Sequence, residues 1–231
     1  MPTTQTEADI RAAKIVAMGP DLGDIHYLLW HDLTWLHFEW RQFVELFGID
    51  EARFQIMNDA APRFFWSLER VLWQDILLGL SRLADPAGTA GQQNLTFRRL
   101  LSALPVDGPR EEVLSALNEY ELRVRFAREW RHALFAHRAL NHAAEPEAHP
   151  LAHASRAQVI DALQAASTLM NLVELRYQDG TTRYEASFDS IGGATDLLLC
   201  LERGLHAQRT DQERDEPWHS QMSFNYPPVA G

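Results

Sequence analysis

Apolar side chains recur at steps of three and four residues along almost the whole chain, the spacing that places them on one face of an α-helix. After residue 21, for example, this face carries Leu29, Leu33 and Leu36, and Gly48 ends the pattern. By the same criterion the sequence predicts helices over residues 7–18, 21–47, 63–83, 111–139, 156–176 and 194–207, with a short helix capped by Asn94 or Thr96 and ending near Leu104.

Glycine, proline and polar residues interrupt these helices and predict the loops. The predicted loops and irregular segments cover residues 87–93, 105–109 and 141–153. A weak alternation over residues 182–188 predicts a short β arm. The sequence therefore predicts an all-α fold in which residues 1–207 form a single helical domain. Residues 208–231 are polar, then aromatic and proline-containing, and predict a mobile tail.

The charge pattern changes along the chain. The 231 residues carry a formal net charge of -11, which argues against loose, non-specific attachment to nucleic acid. Residues 118–138 reverse this sign, because they hold five arginines against three glutamates. Salt bridges along a solvated helix account for many such arginines, and a local anion-binding site is the alternative.

Several features of the sequence indicate a cytoplasmic protein. The single cysteine, Cys200, excludes an internal disulfide, and its apolar context predicts a buried, unreactive thiol. No apolar run approaches the roughly 18 residues that predict a membrane span. The first residues lack a basic segment followed by an apolar core, so we expect no signal peptide.

The chemistry of the chain is concentrated between Trp130 and Arg138. Arg131 supplies a permanent planar cation that fits phosphate oxygens, and His137 supplies a group that exchanges a proton near neutral pH. Six residues on a regular helix rise about 9 Å and separate the two side chains by roughly 120°. Either the helix bends between them, or a second copy of the chain completes the site.

Metal and cofactor sites are not predicted. His132, His137 and His142 step by five residues and so do not share a helix face. There is no His-Glu-x-x-His motif for a zinc site. The glycine-rich segments at 88–91 and 192–193 are not followed by Lys-Ser or Lys-Thr, so neither is typical of a phosphate-binding loop. A histidine between alanines on a half-buried helix is often a packed residue, so His137 has a structural interpretation beside the catalytic one.

The chain resembles the HEPN superfamily, and within it the AbiU-like group named for abortive phage infection. Arg131 through His137 fits the superfamily pattern of Arg, four to six residues and His, with a polar residue, His132, directly after the Arg. The other segments that carry the likeness are 35–43, 46–48, 58–65, 80–86 and 94–96, and the resemblance spans roughly residues 20 to 145.

The resemblance implies an antiparallel HEPN-type helical bundle with an N-terminal helical extension, which dimerises with its Arg–His motifs facing each other. It also implies a metal-independent endoribonuclease of phage-defence or toxin–antitoxin type, acting without a cofactor. Arg131 and His137 would be the catalytic pair, with His132, Arg128 and Arg138 supporting or binding substrate. Attack by a ribose 2′-hydroxyl restricts the substrate to RNA and excludes DNA. The expected partners are a second copy, RNA, and an antitoxin or another defence protein, with no membrane.

Two details qualify this resemblance. Some HEPN toxins carry a tyrosine two positions after the motif histidine, which a partner enzyme modifies; Ala139 stands there, so this control is not expected. Arg82 and Asp85 match the subgroup's Arg-Leu-x-Asp-Pro segment. We interpret them first as a structural ion pair or a helix stop, and second as residues that line the site.

Two other functions remain open at the level of sequence. The chain is alternatively a non-catalytic HEPN module in which Arg131 and His137 contact a nucleotide, RNA or a partner protein without chemistry. The third possible function is that of a structural helical dimer, such as the neutralising half of a toxin pair. The structural alternative predicts that Arg131 is buried against acidic partners and that its loss unfolds the protein.

Overall fold

The computed structural model describes residues 6–48, 50–136, 153–186 and 192–213. Its helices are α1 Glu7–Met18, α2 Pro20–Phe47, α3 Glu51–Ala60, α4 Pro62–Leu83, α5 Phe97–Ala103, α6 Arg110–Arg123, α7 Arg125–Trp130, α8 Arg156–Gln178 and α9 Ala194–Glu213. A π-helix, Arg131–Ala136, continues α7, and Tyr184–Ala186 forms a 3₁₀ turn. Two-residue strands, β1 Gly88–Thr89 and β2 Gln92–Gln93, pair antiparallel. The predicted all-α fold is confirmed.

Local sequence signals set most of the helix ends. Thr6 caps α1 through a capping box with Asp9, and Ser155 caps α8 in the same way with Gln158. Gly19 ends α1 with a φ of 84°, a conformation that L side chains rarely adopt. The predicted helices over 7–18, 21–47 and 63–83 agree with α1, α2 and α4 to within one residue.

At three places the type of secondary-structure element differs from the prediction. Helix α3 was not predicted, because only Met57 of its ten residues is buried and the apolar period is weak. The predicted loop at 87–93 contains the β1–β2 hairpin, whose turn uses positive φ angles at Ala90 and Gly91. The predicted β arm is wrong over 182–186, because residues 182 and 183 are irregular and Tyr184–Ala186 form a 3₁₀ turn. Residues 187 and 188 lie outside the described residues.

The chain divides into two compact units. The first comprises residues 1–44 and 68–189, and α6 packs along α8 within it. The largest side chains of its core are almost completely buried, among them Leu29, Leu33, Ile76, Leu77, Leu80, Phe97, Leu117, Tyr120, Leu169, Met170 and Tyr184. Tyr120 joins α6 to the end of α4, because its hydroxyl donates a hydrogen bond of 2.6 Å to the Leu80 carbonyl.

A buried polar cluster holds α1 to α8 within the first unit. Lys14 donates a hydrogen bond of 2.6 Å to a Glu174 carboxylate oxygen, and both residues are buried. The other Glu174 oxygen accepts a bond of 2.7 Å from the Thr182 hydroxyl. Since the ion pair lies in the interior, its two charges depend on each other rather than on water.

The second unit comprises residues 45–67 and 190–231, in which α3 packs against α9. Arg209 of α9 pairs with Asp59 of α3. Helix α9 extends beyond the predicted end at residue 207, and residues 214–231 lie outside the described residues. Cys200 is exposed, so the prediction of a buried thiol is wrong. The division into a domain 1–207 and a tail 208–231 stays a prediction.

No helix in the described part of the chain combines the length and the apolar character that a membrane crossing requires.

Candidate functional site

An open groove with a volume of about 1000 Å³ lies between the end of α4 and the face of α6, α7 and the π-helix. Its lining residues are Ser81, Asp85, Asn118, Glu121, Leu122, Arg125, Arg128, Glu129, Arg131 and His132. All of them belong to the first unit. Cavities of this size are typical of small-molecule and cofactor sites, so the groove is the first candidate for a binding site.

The helical run that carries the arginines is not regular. The backbone at Val124 leaves the helical region, with φ −94° and ψ 7°, and this residue separates α6 from α7. From Arg131 the chain then adopts the wider π-helix. The helix predicted over residues 111–139 is thus helical from Arg110 to Ala136 except at Val124, but it is interrupted there and widens at Arg131. Residues 137–139 lie outside the described residues. Short π-helical turns occur frequently at functional sites.

Arg131 is fixed at the start of the π-helix by Asp85. One guanidinium nitrogen, Nη1, donates hydrogen bonds of 2.7 and 2.6 Å to the two carboxylate oxygens of Asp85. The side chains are 34% and 23% exposed, respectively, so water reaches both. No other hydrogen bond of the Arg131 guanidinium is present among the described residues. Its Nε and Nη2 groups are therefore available to an anion in the groove.

Two further guanidinium groups line the groove at steps of three residues before Arg131. Arg125 and Arg128 are exposed and have no ion-pair partner in the described ranges of the chain. Of the acidic neighbours, Glu121 pairs with Arg98 at 2.6 Å, and Asp85 pairs with Arg131. Glu129 also lines the groove, is exposed and has no ion-pair partner among the described residues, so it offsets one of the two unpaired arginines. Arg125 and Arg128 therefore leave the groove with an excess of one positive charge.

The structure brings three of the five predicted site residues to one groove. Arg128, Arg131 and His132 all line it. The other two, His137 and Arg138, lie outside the described residues, so the distance between Arg131 and His137 stays a prediction.

Arg82 and Asp85 do not form an ion pair with each other. Arg82 lies 3.9 Å from Asp32, whereas Asp85 binds Arg131. The segment does coincide with a helix stop, because α4 ends at Leu83. Asp85 therefore fits the second interpretation made from the sequence, because it lines the groove.

Three groove residues were not singled out from the sequence. Ser81 is buried, and its hydroxyl has no hydrogen-bond partner among the described residues. Asn118 is exposed, and Leu122 has an exposed fraction of 52%. The available signal was the helical spacing of Asn118, Leu122 and Arg125, which places them on one face. Ser81 gave no signal, because its proximity depends on the packing of α4.

A second, smaller cavity of about 250 Å³ contains a pair of acidic side chains, Glu39 of α2 and Asp75 of α4. Partial burial, the charge of Asp75 and a hydrogen bond to Asp75 raise the pKa of Glu39 to about 7, although Trp35 and Arg82 act in the opposite direction. The pair therefore shares a proton at slightly acidic pH. A carboxylic acid and a carboxylate in contact are compatible, whereas two carboxylates repel each other.

We predict that Glu39→Gln stabilises the protein in alkaline solution. The pKa of Glu39 is higher in the folded chain than its ordinary value of 4.5, so the folded state binds more protons and loses stability as pH rises from about 4.5 to 7. Glutamine keeps the neutral hydrogen bond. We expect a gain of about 1 kcal/mol at pH 8, after allowance for solvent screening, and little change at pH 5. Urea unfolding at both pH values measures this effect.

The control is Glu112→Gln, at an exposed position in the first turn of α6. This substitution should change the free energy of unfolding by a similar small amount at pH 5 and pH 8. Equal effects of the two substitutions at both pH values contradict the shared proton.

Within the described ranges, no group of three histidine, cysteine, aspartate or glutamate side chains is arranged to hold a metal ion.

Comparison with protein families gives one match. The family model HEPN_AbiU2, described as AbiU2, matches residues 19–191, which include the whole groove and begin just after α1. No match was found among curated proteins or among solved structures. The match covers well over half of the chain and includes the segments on which the resemblance was based.

Proposed function

The chain belongs to the HEPN AbiU2 family, and from this premise we propose that it is a metal-independent endoribonuclease of phage-defence or toxin–antitoxin type. The observation that carries the proposal is the position of Arg131 in an open groove, held on one edge by Asp85. A guanidinium that is oriented before substrate arrives stabilises charge without reorganisation when the reaction occurs.

The proposed reaction is an internal transesterification. A base removes the proton of a ribose 2′-hydroxyl, and the resulting oxyanion attacks the adjacent phosphorus. Arg131 stabilises the negative charge that builds on the phosphoryl oxygens, through its Nε and Nη2 edge. An acid protonates the leaving 5′-oxygen, which gives a 2′,3′-cyclic phosphate and a 5′-hydroxyl. His137 is the proposed acid or base.

The exposed guanidinium groups of Arg125 and Arg128 provide contacts for phosphates beside the scissile one. Arginine contacts to the backbone position an RNA strand without selecting its sequence. His132 follows Arg131 directly and is exposed at the groove. Arg138 is proposed to add a further phosphate contact.

A homodimer is part of the proposal. On a regular helix Arg131 and His137 point in different directions, and a two-fold axis beside the π-helix brings the motif of a second copy to the same groove. An antitoxin or another defence protein is the proposed controlling partner. A cytoplasmic location is also part of the proposal.

The experiment is an RNA cleavage assay with the purified full-length protein in excess EDTA. A labelled RNA and the same strand with 2′-deoxyribose are compared, using wild type and His137→Ala. We expect cleavage of the ribose strand alone, with 2′,3′-cyclic phosphate ends, and a loss of about 10²- to 10⁴-fold in the variant. His206→Ala, an exposed position in α9, is the matched control.

Each outcome of this assay is decisive. Cleavage that disappears with EDTA, or that attacks the deoxyribose strand equally, overturns the proposed chemistry. Cleavage that survives His137→Ala removes this histidine from the mechanism.

One observation favours the non-catalytic HEPN module as the second candidate function. Asp85 already offsets the charge of Arg131, which weakens the stabilisation that Arg131 can give to the extra negative charge of a reacting phosphate. Arg125 and Arg128 have no such partner among the described residues and can still bind RNA phosphates. In this case wild type binds RNA, Arg131→Ala weakens the binding, and no product forms at any protein concentration.

A further inference from the structure

The groove differs in character from one end to the other. Arg125, Arg128 and Arg131 lie towards the π-helix, and they outnumber the acidic residues at that end, Asp85 and Glu129, by one charge. The part lined by α6 residues before Arg125 carries Asn118 and Leu122, and Ser81 of α4 lines the same groove. A nucleotide has two matching parts. Its anionic phosphate suits the end with the arginines, and its base, a flat and largely apolar ring with polar edges, suits the other end.

Leu122 offers an apolar surface at this second end. Its exposed fraction is 52%, and it is the one aliphatic side chain among the residues that line the groove. An apolar side chain that remains exposed in a groove is covered at low cost by a nucleobase, since the flat face of the base also leaves water.

Polar groups without protein partners lie beside Leu122. Asn118 precedes it by one helical turn, and its amide makes no hydrogen bond within the described part of the chain. The Ser81 hydroxyl is buried, lines the groove and also has no hydrogen-bond partner among the described residues. A buried polar group without a partner costs free energy, and a ligand that supplies the partner recovers it.

From these observations we infer that Asn118, Leu122 and Ser81 form a nucleobase subsite next to the phosphate-binding arginines, and that this subsite prefers adenine. The base packs on Leu122, while the amide of Asn118 accepts a hydrogen bond from the adenine amino group and donates one to a ring nitrogen. A carboxamide matches this donor and acceptor pair of adenine in a bidentate contact. Cytosine carries the same pair on its edge, but its smaller ring covers less of Leu122. The Ser81 hydroxyl bonds to the ribose or to the base edge.

This inference rests on the proposed function for its RNA substrate, but it makes a separate prediction. The proposed function concerns whether RNA is cleaved, whereas the subsite concerns which nucleotide lies next to the cleaved bond. Asn118 is a specificity residue here, and the charge that stabilises the reaction is supplied elsewhere.

The first arm of the test maps cleavage sites in an RNA that contains all sixteen dinucleotide steps. Wild type is expected to cut next to adenine at least about fivefold faster than next to the other bases. Asn118→Ala should remove most of that preference while cleavage summed over all sites falls much less. Ser115→Ala, an exposed α6 position outside the groove, should keep the wild-type pattern. An unchanged pattern in Asn118→Ala overturns the subsite and leaves the proposed function intact.

The second arm measures binding without cleavage, by titration of full-length protein with the 5′- and 3′-monophosphates of all four nucleosides. Adenosine monophosphate should bind at least about fivefold more tightly than the others, and Asn118→Ala should abolish that difference. Circular dichroism of each variant verifies folding. If no RNA is cut but this preference is present, the subsite stands and the proposed ribonuclease fails. Equal affinities for the four bases, or no binding, overturn the subsite whether or not RNA is cut.

Discussion

Replacement of Arg131 by alanine is expected to slow RNA cleavage by about 10²- to 10³-fold, the loss seen when one preorganised donor to a reacting oxyanion is removed. The reason lies in the geometry of the guanidinium. Its Nη1 group is bound to Asp85, so the remaining edge is oriented before RNA arrives. Without this edge, the charge that develops on the phosphoryl oxygens meets water instead. The measurement is the single-turnover rate with saturating protein, which separates chemistry from binding.

Lysine at position 131 should restore little of this activity. An ammonium group carries the same charge but lacks the planar fork, so it does not hold Asp85 with one edge while it presents another edge to the substrate. If Arg131→Lys cleaves RNA at more than about a third of the wild-type rate, the orientation of the planar guanidinium group is not needed. The charge alone would then be sufficient.

Arg123→Ala is the matched control for both variants. Arg123 also forms an ion pair, with Glu119 at 2.6 Å, and lies on the same helical run, but it does not line the groove. Cleavage by this variant should stay within about twofold of wild type. A parallel loss in Arg123→Ala means that the basic segment as a whole, rather than Arg131, carries the activity.

Arg131→Ala also tests the interpretation of the protein as a purely structural dimer. That interpretation requires Arg131 to be buried, whereas a third of its side chain is exposed. Loss of so exposed an ion pair costs about 1 kcal/mol at most. A midpoint of urea unfolding close to wild type, combined with lost cleavage, therefore separates a functional arginine from a structural one.

The helices were predictable wherever one face is buried and the ends are capped. The α8 helix shows both features, since Ser155 and Gln158 form its capping box and its apolar residues face the core. Helix α3 shows the limit, because it buries little and so has little periodicity to detect. The π-helix at Arg131 is a second limit. A wider turn alters which backbone groups bond to each other, and the sequence pattern carries no clear mark of that change.

The sequence predicted those site residues that are identified by their own type and by their neighbours in the chain. Arg131 stands out because its residue type and neighbours suit phosphate chemistry. Its partner Asp85 lies 46 residues earlier in the chain, and the two meet only because the fold places the end of α4 beside the start of the π-helix. The sequence of residues 80–86 suggested an ion pair between Arg82 and Asp85, and this pairing is wrong because Asp85 binds Arg131 instead. Which arginine Asp85 binds depends on tertiary packing.

Exposure was the least predictable property of the site. The spacing of Asn118, Leu122 and Arg125 places them on one helix face, yet a leucine on such a face is usually assigned to the core. The structure shows Leu122 half exposed in the groove instead. The orphaned hydroxyl of Ser81 is equally invisible in the sequence, since serine finds a partner in most surroundings.

Outside the groove, the largest effect on stability is expected from the only lysine in the chain, Lys14. Residue exposures of 3% for Lys14 and 7% for Glu174 show that both charges have left water. Burial acts to raise the pKa of Glu174, but the hydrogen bonds from Lys14 and Thr182 outweigh it and hold that pKa below its ordinary value. The carboxylate is therefore ionised in the interior and depends on Lys14 for compensation.

We predict that Lys14→Met lowers the free energy of unfolding by about 3–5 kcal/mol at pH 8, because methionine fills the space of lysine but leaves a buried carboxylate without its partner. The double variant Lys14→Met/Glu174→Gln removes both charges, and the glutamine can still accept the bond from Thr182. It should recover most of the loss. Urea unfolding of the two single variants, the double variant and wild type measures the coupling between the two residues.

The loss in Lys14→Met should also shrink as the pH falls. Without Lys14, the pKa of Glu174 rises above its unfolded value, so the folded variant binds the extra proton and gains relative stability in acid. His26 acts in the same direction. Its pKa is lowered to about 4 by burial and by the charge of Lys14, and loss of that charge favours protonation beside Glu174. The difference from wild type should therefore be smaller at pH 5.5 than at pH 8.

Arg11→Ala provides the control on the same helix. Arg11 pairs with Asp24 at 2.6 Å, the same distance as the buried pair, but half of its side chain is exposed. Its removal should lower the free energy of unfolding far less than Lys14→Met does, with little dependence on pH. If Lys14→Met and Arg11→Ala cost the same, the polar cluster between α1 and α8 is not the interaction that fixes the N-terminal helix, and apolar contacts of α1 must hold it instead.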